Sequence, residues 1–158
     1  MARTRWPLHL PLLAAGLLGL VLWAPASARA QGAPTYYQSP DSALRTLPFS
    51  EAVQVGNLLF LAGQIGSVPG SRAVAPGGMA AEARQAMGNI RAILERHRAS
   101  LKDVVKCTVF LADMQEWAAF NEVYKEFFSA PYPARSALGV NGLALGARVE
   151  VECVAVVP

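Results

Sequence analysis

The chain has 158 residues, of which 53% are apolar and 16% are charged. This composition excludes an intrinsically disordered protein and suits one domain with a short extra segment. The formal net charge of +3 resides in the first thirty residues, which hold three of the 14 basic residues and no acidic one. The remaining 11 basic and 11 acidic residues balance, and this argues against a nucleic-acid-binding surface.

Residues 1–30 have the organisation of a secretory signal peptide. Arg3 and Arg5 form a positive start, Leu8 to Trp23 is apolar, and small residues then offer cleavage sites after Ala30 or Ala28. An uncleaved membrane anchor is the alternative, although the apolar stretch is short for a full span. We therefore expect a periplasmic or secreted protein with no stable membrane span after the signal is removed.

The first half of the mature chain predicts a hairpin, a loop and a helix. Residues 31–47 read as a loose leader or a short edge strand. Phe49 to Val55 and Leu58 to Ile65 are predicted strands, joined by a turn at Gly56 and Asn57. Residues 66–78 are rich in Gly, Pro and Ser and predict a loop. Met79 to Arg98 has apolar residues at three- and four-residue steps, as in an amphipathic helix.

The second half predicts a strand, a helix and two further strands. Val104 to Leu111 is rich in β-branched residues, and Asp113 can cap a helix over 115–128. Asn121 lies on or beside the apolar stripe of that helix, so its side chain needs a hydrogen-bond partner. The stripe consists of Trp117, Phe120, Tyr124, Phe127 and Phe128. Arg135 to Val140 and 147–157 are the last two predicted strands.

The element order ββ-α-β-α-ββ predicts an α+β domain over residues 48–158, with two helices on one face of a mixed sheet. The other face of the sheet is also apolar, and no further helix remains to cover it. We therefore expect the protein to self-associate.

The cysteines and the histidine limit the possible chemistry. Cys107 and Cys153 lie in strand-like runs. In an exported chain they could form a disulfide, but we favour two small buried hydrophobic residues. His97 is the only histidine after residue 30 and lies near a helix end. Histidine triads and multi-histidine metal sites are thus excluded within one subunit, and we expect no metal.

Arg135 and the acid pair Glu150 and Glu152 are the candidates for chemistry. Arg135 follows a rigid Pro-Ala entry on an apolar strand, and its guanidinium matches a carboxylate in two parallel hydrogen bonds. The two glutamates share strand parity, so both face one side of the sheet, and either could orient a water or take its proton. The alternatives are an interface salt bridge between Arg135 and these acids, or structural ion pairs of the acids with Lys106, Arg148 or a neighbouring subunit.

From about Pro48 to Val156 the chain resembles the RidA/YjgF family of enamine/imine deaminases. No single matching piece is specific, but their order and spacing together are. The pieces are Pro48-Phe49-Ser50-Glu51-Ala52-Val53, Leu61-Ala62-Gly63-Gln64-Ile65, Glu82-Ala83-Arg84-Gln85-Ala86 with Asn89-Ile90, Val105-Lys106-Cys107-Thr108-Val109-Phe110-Leu111, Phe120-Asn121 with Tyr124 and Phe127-Phe128, Pro133-Ala134-Arg135-Ser136, and Val149-Glu150-Val151-Glu152.

The resemblance implies a chorismate-mutase-like fold and a homotrimer whose sheets form a central barrel, with ligand sites in the clefts between subunits. It assigns Arg135 to the substrate carboxylate and Glu150 to the hydrolytic water. It places Asn121, Gly63 and Gln64 in the substrate site. The implied reaction converts 2-imino or enamine acids into 2-oxo acids and ammonia, with no cofactor.

Three positions differ from the well-studied deaminases. Phe49 stands where they have Tyr, Ala62 where they have Ser, and Ala137 where they have Cys. Phe49 and Ala137 would line a more apolar pocket. These changes leave an alternative open, in which the protein is a non-catalytic trimer that binds small carboxylates or acts as a holdase.

Overall fold

The computed structural model describes residues 32–157, so the predicted signal peptide lies outside the described residues. The described chain forms one mixed sheet and two α-helices. In chain order the elements are β1 (Thr35–Tyr37), β2 (Ala52–Val55), β3 (Leu58–Leu61), β4 (Gln64–Ile65), α1 (Met79–Arg96), β5 (Val104–Leu111), α2 (Trp117–Phe127), β6 (Ala134–Gly139) and β7 (Val149–Val156).

The sheet has the order β1-β2-β3-β7-β5-β6, and β4 also pairs with β7. Strands β5 and β6 are parallel and are connected through α2, whereas the other pairings are antiparallel. Helix α1 packs on β7, β4 and α2, and the inward residues Met87, Ile90 and Leu94 are buried in the core. The predicted α+β fold, with two helices on one face of a mixed sheet, is confirmed.

The predicted first and second strands are shorter than expected. Strand β2 begins at Ala52 rather than Phe49, and the leader contributes the short edge strand β1, which pairs with β2. The predicted strand over 58–65 is interrupted between β3 and β4. Phe60 pairs with Val154 and Gln64 pairs with Val151, so three residues on one strand oppose two on β7. This extra residue is a β-bulge at Ala62 and Gly63.

Trp117 does not belong to the buried stripe of α2. Its side chain is 44% exposed, because a 3₁₀ turn over Met114–Glu116 precedes α2 and places Trp117 at the helix start. The Asp113 side chain caps this turn by accepting a hydrogen bond of 2.8 Å from the Gln115 N–H. The buried face of α2 is formed by Phe120, Val123 and Tyr124.

Cys107 and Cys153 form a disulfide, so the interpretation as two separate hydrophobic residues is wrong. Both side chains are buried, as predicted, at 1% and 2% exposed. The register of β5 against β7 makes them direct cross-strand partners. The sequence of either strand alone does not determine this register.

The sheet face opposite the helices is mixed rather than uniformly apolar. Phe60 is 43% exposed, and Val156 and Leu138 are also exposed. Lys106 and Glu152 interrupt this apolar surface. Within residues 32–157 no helix covers this face, and none of the helices is long and apolar enough to cross a bilayer.

Candidate functional site

Arg135 lies on the edge strand β6 and faces the helix layer. It pairs in register with Cys107, whose side chain is buried beneath the helices. Its Nη2 donates a hydrogen bond of 2.6 Å to Asn121 Oδ1 on α2. The guanidinium carbon also lies 4.6 Å from the ring centroid of Tyr124 and 5.6 Å from that of Phe120. One amide and two aromatic faces therefore hold this half-buried cation.

The Arg135 guanidinium forms no ion pair with any carboxylate in residues 32–157. The five salt bridges of this part of the chain involve other cations, and Arg148 pairs with Glu116. The intrachain ion pairs considered for Glu150 and Glu152 are therefore not formed. A guanidinium has five N–H donors and Asn121 accepts from one, so Arg135 retains donors for an external carboxylate.

Glu150 lies on the open face of β7 and packs directly against Gly63. A Cβ built on Gly63 would lie 1.8 Å from Glu150 Oε1, so only glycine permits this carboxylate position. Burial raises the pKa of Glu150, and the negative charge of Glu152 raises that pKa further. Glu152 is exposed, whereas Glu150 is half-buried. The structure thus distinguishes two acids that share the same strand parity.

The bulge at Ala62 and Gly63 brings the Gly63 backbone close to Glu150. The Gln64 side chain folds back and donates from Nε2 to the carbonyl oxygens of Ala62 and Gly63, both at 3.1 Å. Gln64 therefore binds the bulge backbone within the chain. The Gly-Gln pair was predicted to be in the site; Gly63 lies against Glu150, and Gln64 binds the backbone of the bulge that carries Gly63.

Phe49 lies at the same end of the sheet as Gly63. The segment before β2 is tied there by a hydrogen bond of 3.0 Å from the Ala62 N–H to the Glu51 carbonyl oxygen. The Phe49 side chain is 53% exposed. It lines an open cavity of about 480 Å³ together with Gln38, Arg45, Leu47, Pro48 and Ser50.

Ala137 lies two residues after Arg135, on the same face of β6. It pairs in register with the buried Val109 and packs against the core. Its methyl group makes the wall beside Arg135 small and apolar. We call Arg135, Asn121 and Ala137 the arginine half-site, and Glu150, Gly63, Gln64 and Phe49 the glutamate half-site.

The two half-sites of one chain do not meet. Arg135, Cys107 and Cys153 form one row across β6, β5 and β7, and Glu150 lies three residues along β7 from that row. With strand spacings of about 4.8 Å and a rise of about 3.3 Å per residue, the Arg135 and Glu150 Cα atoms are roughly 14 Å apart. The odd offset also places their side chains on opposite faces of the sheet.

The contact of Arg135 with two aromatic rings was missed by the sequence analysis. Phe120 and Tyr124 were predicted to be core residues, which they are, but their faces also contact the cation. The available signal was their helical spacing around Asn121, since residues three and four apart share a helix face.

Known proteins resemble this chain over most of the described residues. A family model described as endoribonuclease L-PSP matches residues 40–157, which include both half-sites. A 2-iminobutanoate/2-iminopropanoate deaminase of Dermatophagoides farinae is 44% identical over 110 residues, covering 70% of this chain and 86% of that protein. The Homo sapiens protein of the same name is 42% identical over 109 residues, covering 69% and 80%.

A solved structure shows the same fold. The crystal structure of RidA from an Antarctic Psychrobacter matches with a TM-score of 0.68 and 37% identity, covering 77% of this chain and 94% of that one. The likeness includes the sheet and helices that position the half-sites.

Proposed function

Because this chain belongs to the RidA/YjgF family, which its family model describes as endoribonuclease L-PSP, we propose that it is a hydrolytic deaminase of 2-imino acids. The substrate, or its enamine tautomer, reacts with one water to give a 2-oxo acid and ammonia. The names of the relatives support imine deamination. The observation that carries the proposal is the half-buried Arg135, which has no carboxylate partner within residues 32–157.

Arg135 binds the substrate carboxylate through two parallel N–H···O bonds. Asn121 fixes one edge of the guanidinium at 2.6 Å, which leaves other N–H groups for the ligand. Because the guanidinium is partly shielded from water, its attraction for a carboxylate is stronger than that of a fully exposed arginine. The small Ala137 beside it leaves room for an aliphatic substrate chain.

Glu150 positions the attacking water and accepts its proton. The water oxygen forms a bond to the imine carbon while the C=N electrons move to nitrogen, which takes up a proton. The proton that nitrogen takes up comes from solvent. Glu150 then returns the water proton to the amine, and the C–N bond breaks as ammonia leaves. The carbinol oxygen becomes the carbonyl oxygen by giving its proton to Glu150, which releases it to solvent. The raised pKa of Glu150 favours this role, because a general base is most effective when its pKa approaches the working pH.

The catalytic site is formed between two copies of the chain. Arg135 and Glu150 of one copy are roughly 14 Å apart on opposite sheet faces, so one copy cannot present both to the same small substrate. The family resemblance supports a homotrimer with clefts between subunits, and the exposed apolar residues of the open face support its burial. In this proposal Arg135 of one copy faces Glu150 of the next, in an exported protein cleaved near Ala30.

The test is release of ammonia and 2-oxo acid from imines generated in situ by an amino-acid oxidase, using the mature protein. We expect Arg135→Ala to raise KM at least about 100-fold, since it removes a bidentate charged pair. Glu150→Gln should lower kcat by about 100-fold or more. Calorimetry with a 2-oxo acid distinguishes the alternative: carboxylate binding to wild-type protein without turnover would identify a binding protein and overturn the hydrolase. Full activity of Arg135→Ala would overturn the anchor.

A further inference from the structure

Tyr124 is a buried residue that contacts the candidate anchor and has no role in the mechanism above. Its side chain is 4% exposed, and its ring is the aromatic face closest to the Arg135 guanidinium, at 4.6 Å. We propose that Tyr124 is a positioning residue: its ring face holds the Arg135 guanidinium in the orientation that binds a carboxylate, and its hydroxyl is dispensable for this. The inference rests on the proposed function, because it concerns the same carboxylate anchor.

The Tyr124 ring forms a rigid support. It packs between Phe120 and Phe128, with centroid distances of 5.7 Å and 4.6 Å. Phe120 lies on the same helix face and Phe128 directly follows the helix end, and a ring held between two such aromatic neighbours cannot rotate without moving them. A cation over such a desolvated ring face is attracted by the negative potential of the ring, more strongly than at an exposed site. The Arg135 guanidinium therefore contacts a ring whose position is fixed by its neighbours.

Asn121 and Tyr124 restrain Arg135 in complementary ways. Both project from α2 toward β6, three residues apart on one helix face. The Tyr124 ring limits movement of the guanidinium towards the helix, and the Asn121 amide limits its rotation in its own plane. A guanidinium held in both ways loses less conformational freedom when it binds a carboxylate, so binding is tighter.

The Tyr124 hydroxyl contributes nothing comparable. It is buried and has no hydrogen-bond partner in residues 32–157, a situation that destabilises the folded chain. Burial raises the pKa of Tyr124 to about 12, so the phenol stays neutral and adds no charge beside the anchor. We therefore expect Tyr124→Phe to retain carboxylate affinity within twofold and to melt at the same temperature or higher.

A series of variants at one position tests the ring directly. Phenylalanine and its mono-, di- and trifluorinated analogues are placed at position 124 of the mature protein, and 2-oxobutanoate affinity is measured by calorimetry. The analogues keep nearly the same size, while each added fluorine weakens the negative potential of the ring face. We expect a stepwise loss of affinity, and about a 2- to 30-fold loss for Tyr124→Leu, with kcat unchanged. Affinity that does not vary along the fluorinated series would overturn the proposal.

Two controls separate positioning from packing. Leu59→Ala removes a buried side chain on β3, which β7 and β5 separate from Arg135 on β6, so it should lower the melting temperature without changing affinity. In a chain already carrying Arg135→Ala, the fluorinated series should have no further effect on residual binding.

A large loss of affinity in Tyr124→Phe would show instead that the hydroxyl is the acting group. If Arg135→Ala leaves 2-oxobutanoate binding intact, the proposed function fails at its anchor. If that change abolishes binding but the series does not vary, only the role of Tyr124 fails.

Discussion

Gly63 offers a way to move the candidate catalytic acid without altering its chemistry. A Cβ at this position would lie 1.8 Å from Glu150 Oε1, whereas real Cβ atoms essentially never approach closer than 3.0 Å. In Gly63→Ala the carboxylate oxygen must therefore move by roughly 1.2 Å, and a displacement of that size costs about 100-fold in rate. The corresponding rise in the activation free energy is about 2.7 kcal/mol.

The fold should tolerate this change. The atoms nearest to the added methyl group belong to the end of the flexible Glu150 side chain rather than to the backbone. We therefore expect a thermal melt close to that of the wild-type protein, a kcat for imine hydrolysis about 100-fold lower, and little change in KM because Arg135 is not disturbed.

Two other glycines provide matched controls. A Cβ on Gly88, inside α1, meets no atom within 4 Å, so Gly88→Ala should keep full activity and gain up to about 1 kcal/mol of stability. A Cβ on Gly66 would lie 2.6 Å from backbone atoms of Glu82, so Gly66→Ala should lower the melting temperature. A Gly63→Ala protein that kept half or more of the wild-type kcat, or lost activity only in proportion to unfolded protein, would contradict a catalytic role for the position of the Glu150 carboxylate.

Three further predictions concern charge, covalent structure and assembly. Glu152→Gln removes a charge that raises the pKa of Glu150, so the acidic limb of the pH profile of kcat/KM should move to lower pH; an unchanged limb would contradict Glu150 as the titrating base. Replacing Cys107 and Cys153 together by Ala removes a cross-link between residues 46 apart in the sequence. The loss of chain-entropy restraint in the unfolded state should lower the free energy of unfolding, measured with denaturant, by about 4 kcal/mol. Stability equal to that of the oxidised wild type would contradict a stabilising disulfide. Light scattering on the mature protein should give the mass of a trimer, and a monomer would exclude the shared site.

Local sequence patterns predicted the helices and strands well where their bounds do not depend on which strands pair. Strand β5 has the predicted bounds, Val104–Leu111, and α1 ends two residues earlier than predicted. The interruption near Gly63 was not predictable, because a bulge depends on the register against β7. The disulfide was underestimated for the same reason: both cysteines were predicted to be buried in strands, but only the register shows that they are opposite each other.

The arrangement of the candidate site could likewise not be predicted without knowing how the strands pair. Arg135 and Glu150 were each predicted to carry chemistry, from their setting in apolar strands and from the family resemblance. Parity compares residues within one strand, so the sequence did not reveal that these two residues lie on opposite sheet faces. The Tyr124 contact was hidden for a different reason, since an aromatic residue on a helix stripe fits the core and a cation contact equally well.

Complementation between two inactive variants tests the shared site most directly. Arg135→Ala and Glu150→Gln chains are mixed in equal amounts, unfolded and refolded together, and assayed for ammonia release from 2-iminobutanoate. In a randomly mixed trimer, roughly one quarter of the interfaces pair an intact Arg135 with an intact Glu150 of the next copy, so about one quarter of the wild-type activity should return. A mixture as inactive as the two separate variants, despite formation of mixed trimers, would contradict a site built from two copies.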